Sequence, residues 1–101
     1  MLLSIQESFK EIFNHTIEII ERKLTIAEQA KEKEEYVLAM DIAYSAYQDA
    51  YELVDSILTF KQYTHNQELV DAIRDQFFEI ATKLHDKAFD LHKAIVSIQP
   101  Y

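Results

Sequence analysis

Two pairs of acidic residues have a spacing that could bind a divalent metal ion. Glu18 and Glu21 are three residues apart, and Glu52 and Asp55 repeat that spacing further along the chain. Residues three apart lie on the same face of an α-helix, and Mg²⁺ prefers oxygen ligands such as carboxylates. Two such helices packed antiparallel would bring four carboxylates toward one metal ion.

This Glu-x-x-Glu and Glu-x-x-Asp pattern resembles that of all-α nucleotide pyrophosphohydrolases of the MazG and dimeric dUTPase type. The resemblance covers four residues only. It implies a carboxylate-metal hydrolase that uses Glu18, Glu21, Glu52 and Asp55. The expected register of the two helices does not fit such a site. A hairpin that turns near residue 32 sets residue 21 opposite residue 43, and residue 52 then lies about 13 Å further along the helix. The enzyme is therefore the alternative interpretation.

The remaining residues that could do chemistry do not form a recognisable site. A di-iron site in a helical bundle needs Glu-x-x-His on two helices, and no histidine here follows an acidic residue by three positions. We interpret His85 and His92 as partly buried, hydrogen-bonded side chains. The chain has no cysteine and no glycine, which excludes thiol catalysis, phosphate-binding loops and a nucleophile elbow. We predict no catalytic residue, no metal ion and no cofactor.

The lack of glycine also indicates which elements must position any functional side chain. The only proline is Pro100, and glycine and proline are the main breakers of regular structure. Apolar residues recur at steps of three and four, as in helices. We predict an all-α protein, an antiparallel bundle of three long helices at about 5–32, 34–61 and 67–98, in a single domain that spans residues 1–101.

The boundary between the first two helices carries the weakest signal. Residues 28–35 are all good helix formers, so a turn near 31–34 is indicated only by the loss of apolar residues. The alternative is one continuous helix from residue 5 to residue 61. The next turn is clearer, since Asn66 or Thr64 is a suitable N-cap for the third helix.

The charge of the chain is strongly acidic and unevenly placed. Eighteen acidic residues oppose ten basic ones, for a formal net charge of −8. We expect neither nucleic acid nor a membrane as a partner, because both attract basic surfaces. The lack of cysteine and of a leader-like segment favours a cytoplasmic protein. Residues 34–60 contain six acidic residues and no Lys or Arg, which favours a partner with a basic surface.

The second helix carries two apolar stripes. Ala39, Ala43, Ala46 and Ala50 share one stripe, which we predict to be the core face because small residues let a neighbouring helix approach closely. Tyrosines dominate the other stripe, and tyrosine is enriched at protein interfaces. We predict that this side contacts a partner through six residues: Met40, Tyr44, Tyr47, Tyr51, Asp55 and Leu58.

These patterns favour a non-enzymatic protein-protein interaction module, a small acidic adaptor, regulator or inhibitor. We also expect a homodimer, formed through the tyrosine side of the second helix or through the surplus apolar arc of the first. The alternative for the tyrosines is that they rim the bundle's own core.

Overall fold

Three long helices pack side by side. The computed structural model describes the backbone of residues 2–98 and the side chains of residues 7–98. Helix α1 spans Leu2–Glu32, α2 spans Tyr36–Leu58 and α3 spans Gln67–Ile98. No strand occurs in the described part of the chain. The predicted all-α bundle of three helices is confirmed.

Three helix boundaries differ from the predicted ones, including the start of α2, which lies at Tyr36 rather than near residue 34. Helix α1 begins at Leu2 rather than near residue 5. The last predicted turn of α2 is a short 3-10 helix, Phe60–Gln62. This tighter turn buries the Phe60 ring, whose centroid lies 4.7 Å from that of Phe9 and 6.3 Å from that of Phe13. The change from α-helix to 3-10 helix therefore places an aromatic ring against the N-terminal part of α1.

Helix α2 is the central element of the bundle. It packs against both α1 and α3, which contact each other much less. Its four predicted core residues have no exposed surface: Ala39, Ala43, Ala46 and Ala50. A side chain that ends at Cβ lets neighbouring helices approach to the short end of the range of about 8–10 Å between helix axes. The predicted core face is confirmed.

The core is apolar and divided into two clusters. The larger cluster includes Phe13 of α1, Leu53 of α2 and Phe77 of α3. The smaller cluster lies near the turn between α1 and α2 and consists of Ala27, Ala30, Ala39, Met40, Ala43 and Ile95. Among the side chains of residues 7–98, no polar or charged one is buried. Polar chemistry must therefore occur on the helix surfaces.

The turn between α1 and α2 is built without glycine. Glu34 has a φ of 62°, in the left-handed region. The Glu34 N–H donates to the Lys31 carbonyl at 3.0 Å, and the Glu35 N–H donates to the Ala30 carbonyl at 2.9 Å. These two bonds form a Schellman motif, which usually has glycine at the left-handed position. The predicted turn near 31–34 is confirmed, and the alternative of a continuous helix is wrong.

The turn before α3 uses both predicted capping residues. The Asn66 side-chain oxygen accepts a hydrogen bond from the Leu69 N–H at 3.1 Å, so Asn66 is the N-cap. The Thr64 hydroxyl oxygen accepts one from the Asn66 N–H, also at 3.1 Å. These bonds satisfy backbone donors that the first turn of a helix leaves unpaired.

The bundle is elongated, with extents of 50 × 18 × 16 Å. Helix α1 has 31 residues, which is about 46 Å at 1.5 Å per residue, so it runs along nearly the whole length. Helix α2 packs against α1 on one side and α3 on the other, so its outer side chains lie between these two contacts.

We expect Glu34→Gly to stabilise the protein by about 0.5–1 kcal/mol. The left-handed conformation costs a residue with a Cβ about 1–2 kcal/mol, and the greater freedom of glycine in the unfolded chain removes part of that gain. Urea unfolding followed by circular dichroism measures the change. Glu32→Gly removes the same charge from the helical last turn and should cost about 0.5–1 kcal/mol. A loss of stability in Glu34→Gly would contradict the turn geometry.

We expect Ala46→Leu to destabilise the bundle by about 1–3 kcal/mol or more, because a larger side chain overfills the space between α2 and its neighbours. Ala94→Leu is the matched control, since Ala94 is exposed on α3 and its change should stay within about 0.5 kcal/mol. Chemical unfolding of the two variants tests this, and equal losses would show that the alanine stripe does not set the packing distance.

Candidate functional site

The tyrosine side of α2 packs against aromatic side chains of α3. The ring centroids of Tyr44 and His92 lie 5.6 Å apart. The Tyr47 ring lies 4.8 Å from His85 and 5.8 Å from Phe89. The two helices therefore present one continuous surface, which we call the aromatic face. Its members are Tyr44, Tyr47, Tyr51, His85, Phe89 and His92.

The bundle's own core uses only part of this face. Tyr44 is 49% exposed, Tyr51 is 60% exposed and Phe89 is 48% exposed. Tyr47 is half-buried and packs against the larger core cluster. Tyr47 thus rims the core, as the alternative interpretation has it, whereas about half of the area of Tyr44 and Tyr51 remains open to another molecule.

An exposed apolar line continues the aromatic face along α2. Val37, Tyr44, Tyr51 and Leu58 are spaced seven residues apart, and their exposed fractions range from 43% to 60%. Seven residues make almost two turns of an α-helix, so these side chains lie nearly in a row.

Five of the six residues predicted to contact a partner have accessible side chains. Tyr44, Tyr51, Asp55 and Leu58 are exposed, and Tyr47 is half-buried. Their role in binding a partner stays a prediction.

Met40 does not lie on this surface, and the structure corrects its placement. Its side chain is only 2% exposed and belongs to the smaller core cluster. Ile95 of α3 is buried in the same cluster, and Leu91 and Val96 pack against it. Met40 has the helical position of the tyrosine stripe, but α3 covers it at this end of α2.

The α3 residues of the aromatic face could not be predicted from the sequence pattern of α2 alone. His85 and His92 are half-buried, as predicted, and the His85 Nδ1 atom lies 3.3 Å from the Asp86 carboxylate. The available signal was spacing, because His85 and His92 are seven residues apart, like Tyr44 and Tyr51. To predict which histidine lies beside which tyrosine, one must also know the register of α3 along α2.

One acidic residue of α2 is neutralised by α1. The Lys23 ammonium forms an ion pair with Asp49 and also donates to the Ser45 hydroxyl at 2.8 Å. Both charged side chains are about 30% exposed. Lys23 thus pairs with a carboxylate across the interface between α1 and α2.

Three further acidic residues of α2 have no such partner. Asp41, Glu52 and Asp55 are exposed, and no cation among the described side chains lies within ion-pairing distance of them. Asp41 precedes Tyr44 by three residues and Asp55 follows Tyr51 by four, so both are next to a tyrosine on the helix surface. The uncompensated negative charge of α2 therefore borders the aromatic face.

A depression of about 280 Å³ opens within the aromatic face. Its walls come from α2 alone: Tyr44, Tyr47, Gln48, Tyr51 and Glu52. Three aromatic rings, one amide and one carboxylate thus border the same open space.

The surplus apolar arc of α1 lies on the other side of α2. Ile12 and Ile26 are exposed and Ile19 is half-buried. Ile12 and Ile19 border a groove of about 310 Å³ between α1 and α2. The other lining residues of this groove include Ser56 and Glu52. A homodimer formed through this arc stays a prediction.

The two carboxylate pairs do not form a metal site. Glu18, Glu21, Glu52 and Asp55 are all exposed. Glu21 borders a shallow depression beside Arg22 on α1, whereas Glu52 borders the groove between α1 and α2 and the depression beside the tyrosines. Within residues 7–98, no three His, Asp or Glu side chains are grouped so that they could hold a metal ion. The four carboxylates of the motif are therefore not brought together in the described part of the chain, and the alternative enzyme stays a prediction.

Comparison of the chain with protein-family models, with curated proteins and with solved structures found no match. The geometry of the surfaces is therefore the guide to function. None of the three described helices combines the length and the apolar character that crossing a membrane requires.

We expect Tyr44→Ala and Tyr51→Ala each to lower the free energy of unfolding by about 1 kcal/mol or less, because exposed side chains contribute little to stability. Phe77→Ala is the contrasting variant, since the 2% exposed Phe77 ring should cost about 3–5 kcal/mol. Urea unfolding measures all three. Losses near 3 kcal/mol at the tyrosines would assign the aromatic face to the core.

Proposed function

We propose that this protein is a non-enzymatic protein-protein interaction module, a small adaptor, regulator or inhibitor that binds a basic protein on its aromatic face. The observation that carries the proposal is the exposure of about half of Tyr44, Tyr51 and Phe89 on one continuous surface. Contiguous exposed apolar patches mark interaction sites on soluble proteins. Tyrosine and phenylalanine are also enriched at the cores of interfaces.

The Tyr47 ring at the centre of the aromatic face is packed in place before a partner arrives. Tyr47 is fixed between His85 and Phe89 of α3, and its ring is 6.2 Å from that of Tyr44. All of these side chains stand on long helices rather than on loops. A preordered surface loses less conformational entropy on binding, which supports affinity.

The charge around the face selects the class of partner. Asp41, Glu52 and Asp55 have no cation partner among the described side chains. A partner that presents Lys or Arg would neutralise these carboxylates, and complementary charge speeds association and rejects acidic partners. Binding should therefore weaken as the salt concentration rises.

A second copy of this chain fits the aromatic face less well. Pairing two such faces would bring like charges together at Asp41, Glu52 and Asp55, which is unfavourable. The homodimer expected from the sequence is better supported at the apolar arc of α1, where Ile12 and Ile26 are exposed. The two surfaces can thus serve different partners.

Site-specific photo-crosslinking tests the proposal. A photoreactive amino acid replaces Gln48, which borders the depression on the aromatic face. In a matched variant it replaces Gln29, an exposed glutamine of α1. In the native host, we expect one defined adduct from position 48 and none from position 29. The captured protein, once purified, should bind the unmodified chain at least about ten-fold more weakly in 500 mM than in 50 mM NaCl.

The same captured protein allows a second comparison. Its affinity should fall in the Tyr44→Ala/Tyr51→Ala double variant and stay unchanged in Gln29→Ala. An adduct between two copies of this chain at position 48 would contradict the proposed partner class. Equal adducts from both positions, or affinity that does not respond to the tyrosines, would contradict the proposed surface.

A further inference from the structure

The depression on the aromatic face has the chemistry of a site for a cationic side chain. Three tyrosines, Tyr44, Tyr47 and Tyr51, border it together with the Glu52 carboxylate and the Gln48 amide. The face of an aromatic ring attracts a cation through its quadrupole, and a carboxylate adds a full opposite charge. We propose that this depression binds an arginine side chain of the partner protein. The inference rests on the proposed function, because it names the group by which the basic partner is recognised.

The arrangement of the rings favours arginine. The Tyr44 and Tyr47 rings are nearly parallel, with an interplanar angle of 23°, and Tyr51 follows Tyr47 by one helical turn. A planar guanidinium stacks on aromatic faces and can donate two hydrogen bonds to one carboxylate, whereas the ammonium of lysine is a compact, strongly hydrated charge. Glu52 supplies the carboxylate, and the Gln48 side-chain oxygen is a further acceptor.

None of the basic side chains among the described residues neutralises the Glu52 carboxylate at this site. Glu52 is exposed, and no Lys or Arg among the described side chains pairs with it. Asp49 differs from Glu52 in this respect. It lies on the α1 side of α2, one helical turn before Leu53, and its carboxylate already forms an ion pair with Lys23. Residues 34–60 contain no Lys or Arg, so α2 itself supplies no competitor. The partner must therefore bring the cation.

The direct test uses small probes and the full chain. N-acetyl-arginine amide is titrated while NMR follows the ring signals of Tyr44, Tyr47 and Tyr51. N-acetyl-citrulline amide has a similar shape without the charge, and N-acetyl-lysine amide carries the charge without the planar group. We expect saturable shifts of these rings with the arginine probe, and affinity at least about five-fold weaker for either other probe.

Two variants separate the site from the overall charge. Glu52→Gln should weaken binding of the arginine probe by at least about three-fold. Glu18→Gln removes the same charge at an exposed position of α1 and should leave the affinity unchanged. Equal binding of the citrulline probe, equal losses in both variants, or shifts that spare the three rings would overturn the proposal.

The partner captured by crosslinking separates this inference from the proposed function. If both hold, Glu52→Gln and the Tyr44→Ala/Tyr51→Ala variant both weaken partner binding, and Glu18→Gln does not. If Glu52→Gln binds the partner normally and only the tyrosine variant is defective, the arginine site is wrong and the interaction module stands. If neither variant is defective, both are wrong.

Discussion

The alanine stripe of α2 is the constraint on which the rest of the structure depends. Ala39, Ala43, Ala46 and Ala50 are fully buried between α1 and α3, so the middle helix gives its smallest side chains to the centre of the bundle. Because these side chains are small, both neighbouring helices can approach α2 closely. The flanking positions of α2 face its neighbours, with tyrosines toward α3 and with Ser45 and Asp49 toward α1. The surfaces that could bind a partner are a consequence of how the core is packed.

A chain without glycine has to close its turns in other ways. Glu34 adopts a left-handed conformation because the Schellman hydrogen bonds at the end of α1 require it, and the local strain is offset by the packing of the two helices. At the other turn, Asn66 and Thr64 supply side-chain hydrogen bonds. The first connection comprises residues 33–35 and the second residues 59–66, which include the 3-10 helix. The side chains that we propose to contact a partner lie on the helices instead.

The sequence predicts those features that depend on local periodicity and on capping. The alanine core face, the Asn66 cap and the turn near residue 33 follow from residues close together in the chain. Met40 and the α3 half of the aromatic face do not, because they depend on how far α3 is displaced along α2. That register places Ile95 in the cluster with Met40 and places His85 beside Tyr47. Lys23 is explained only once Asp49 is known to face it across the interface.

Two acidic residues of α2 differ in whether a basic side chain of the bundle neutralises them. On the α1 side, Lys23 neutralises Asp49, and the pair is partly withdrawn from solvent. Glu52 borders both the groove between α1 and α2 and the depression beside the tyrosines, and it is exposed with no cation partner among the described side chains. Exposed charges act mainly on the rate and selectivity of association, whereas closely packed aromatic contacts control how long a complex lasts. In the proposed complex, the acidic residues would therefore act on the rate and selectivity of association, and the tyrosines on the lifetime of the complex.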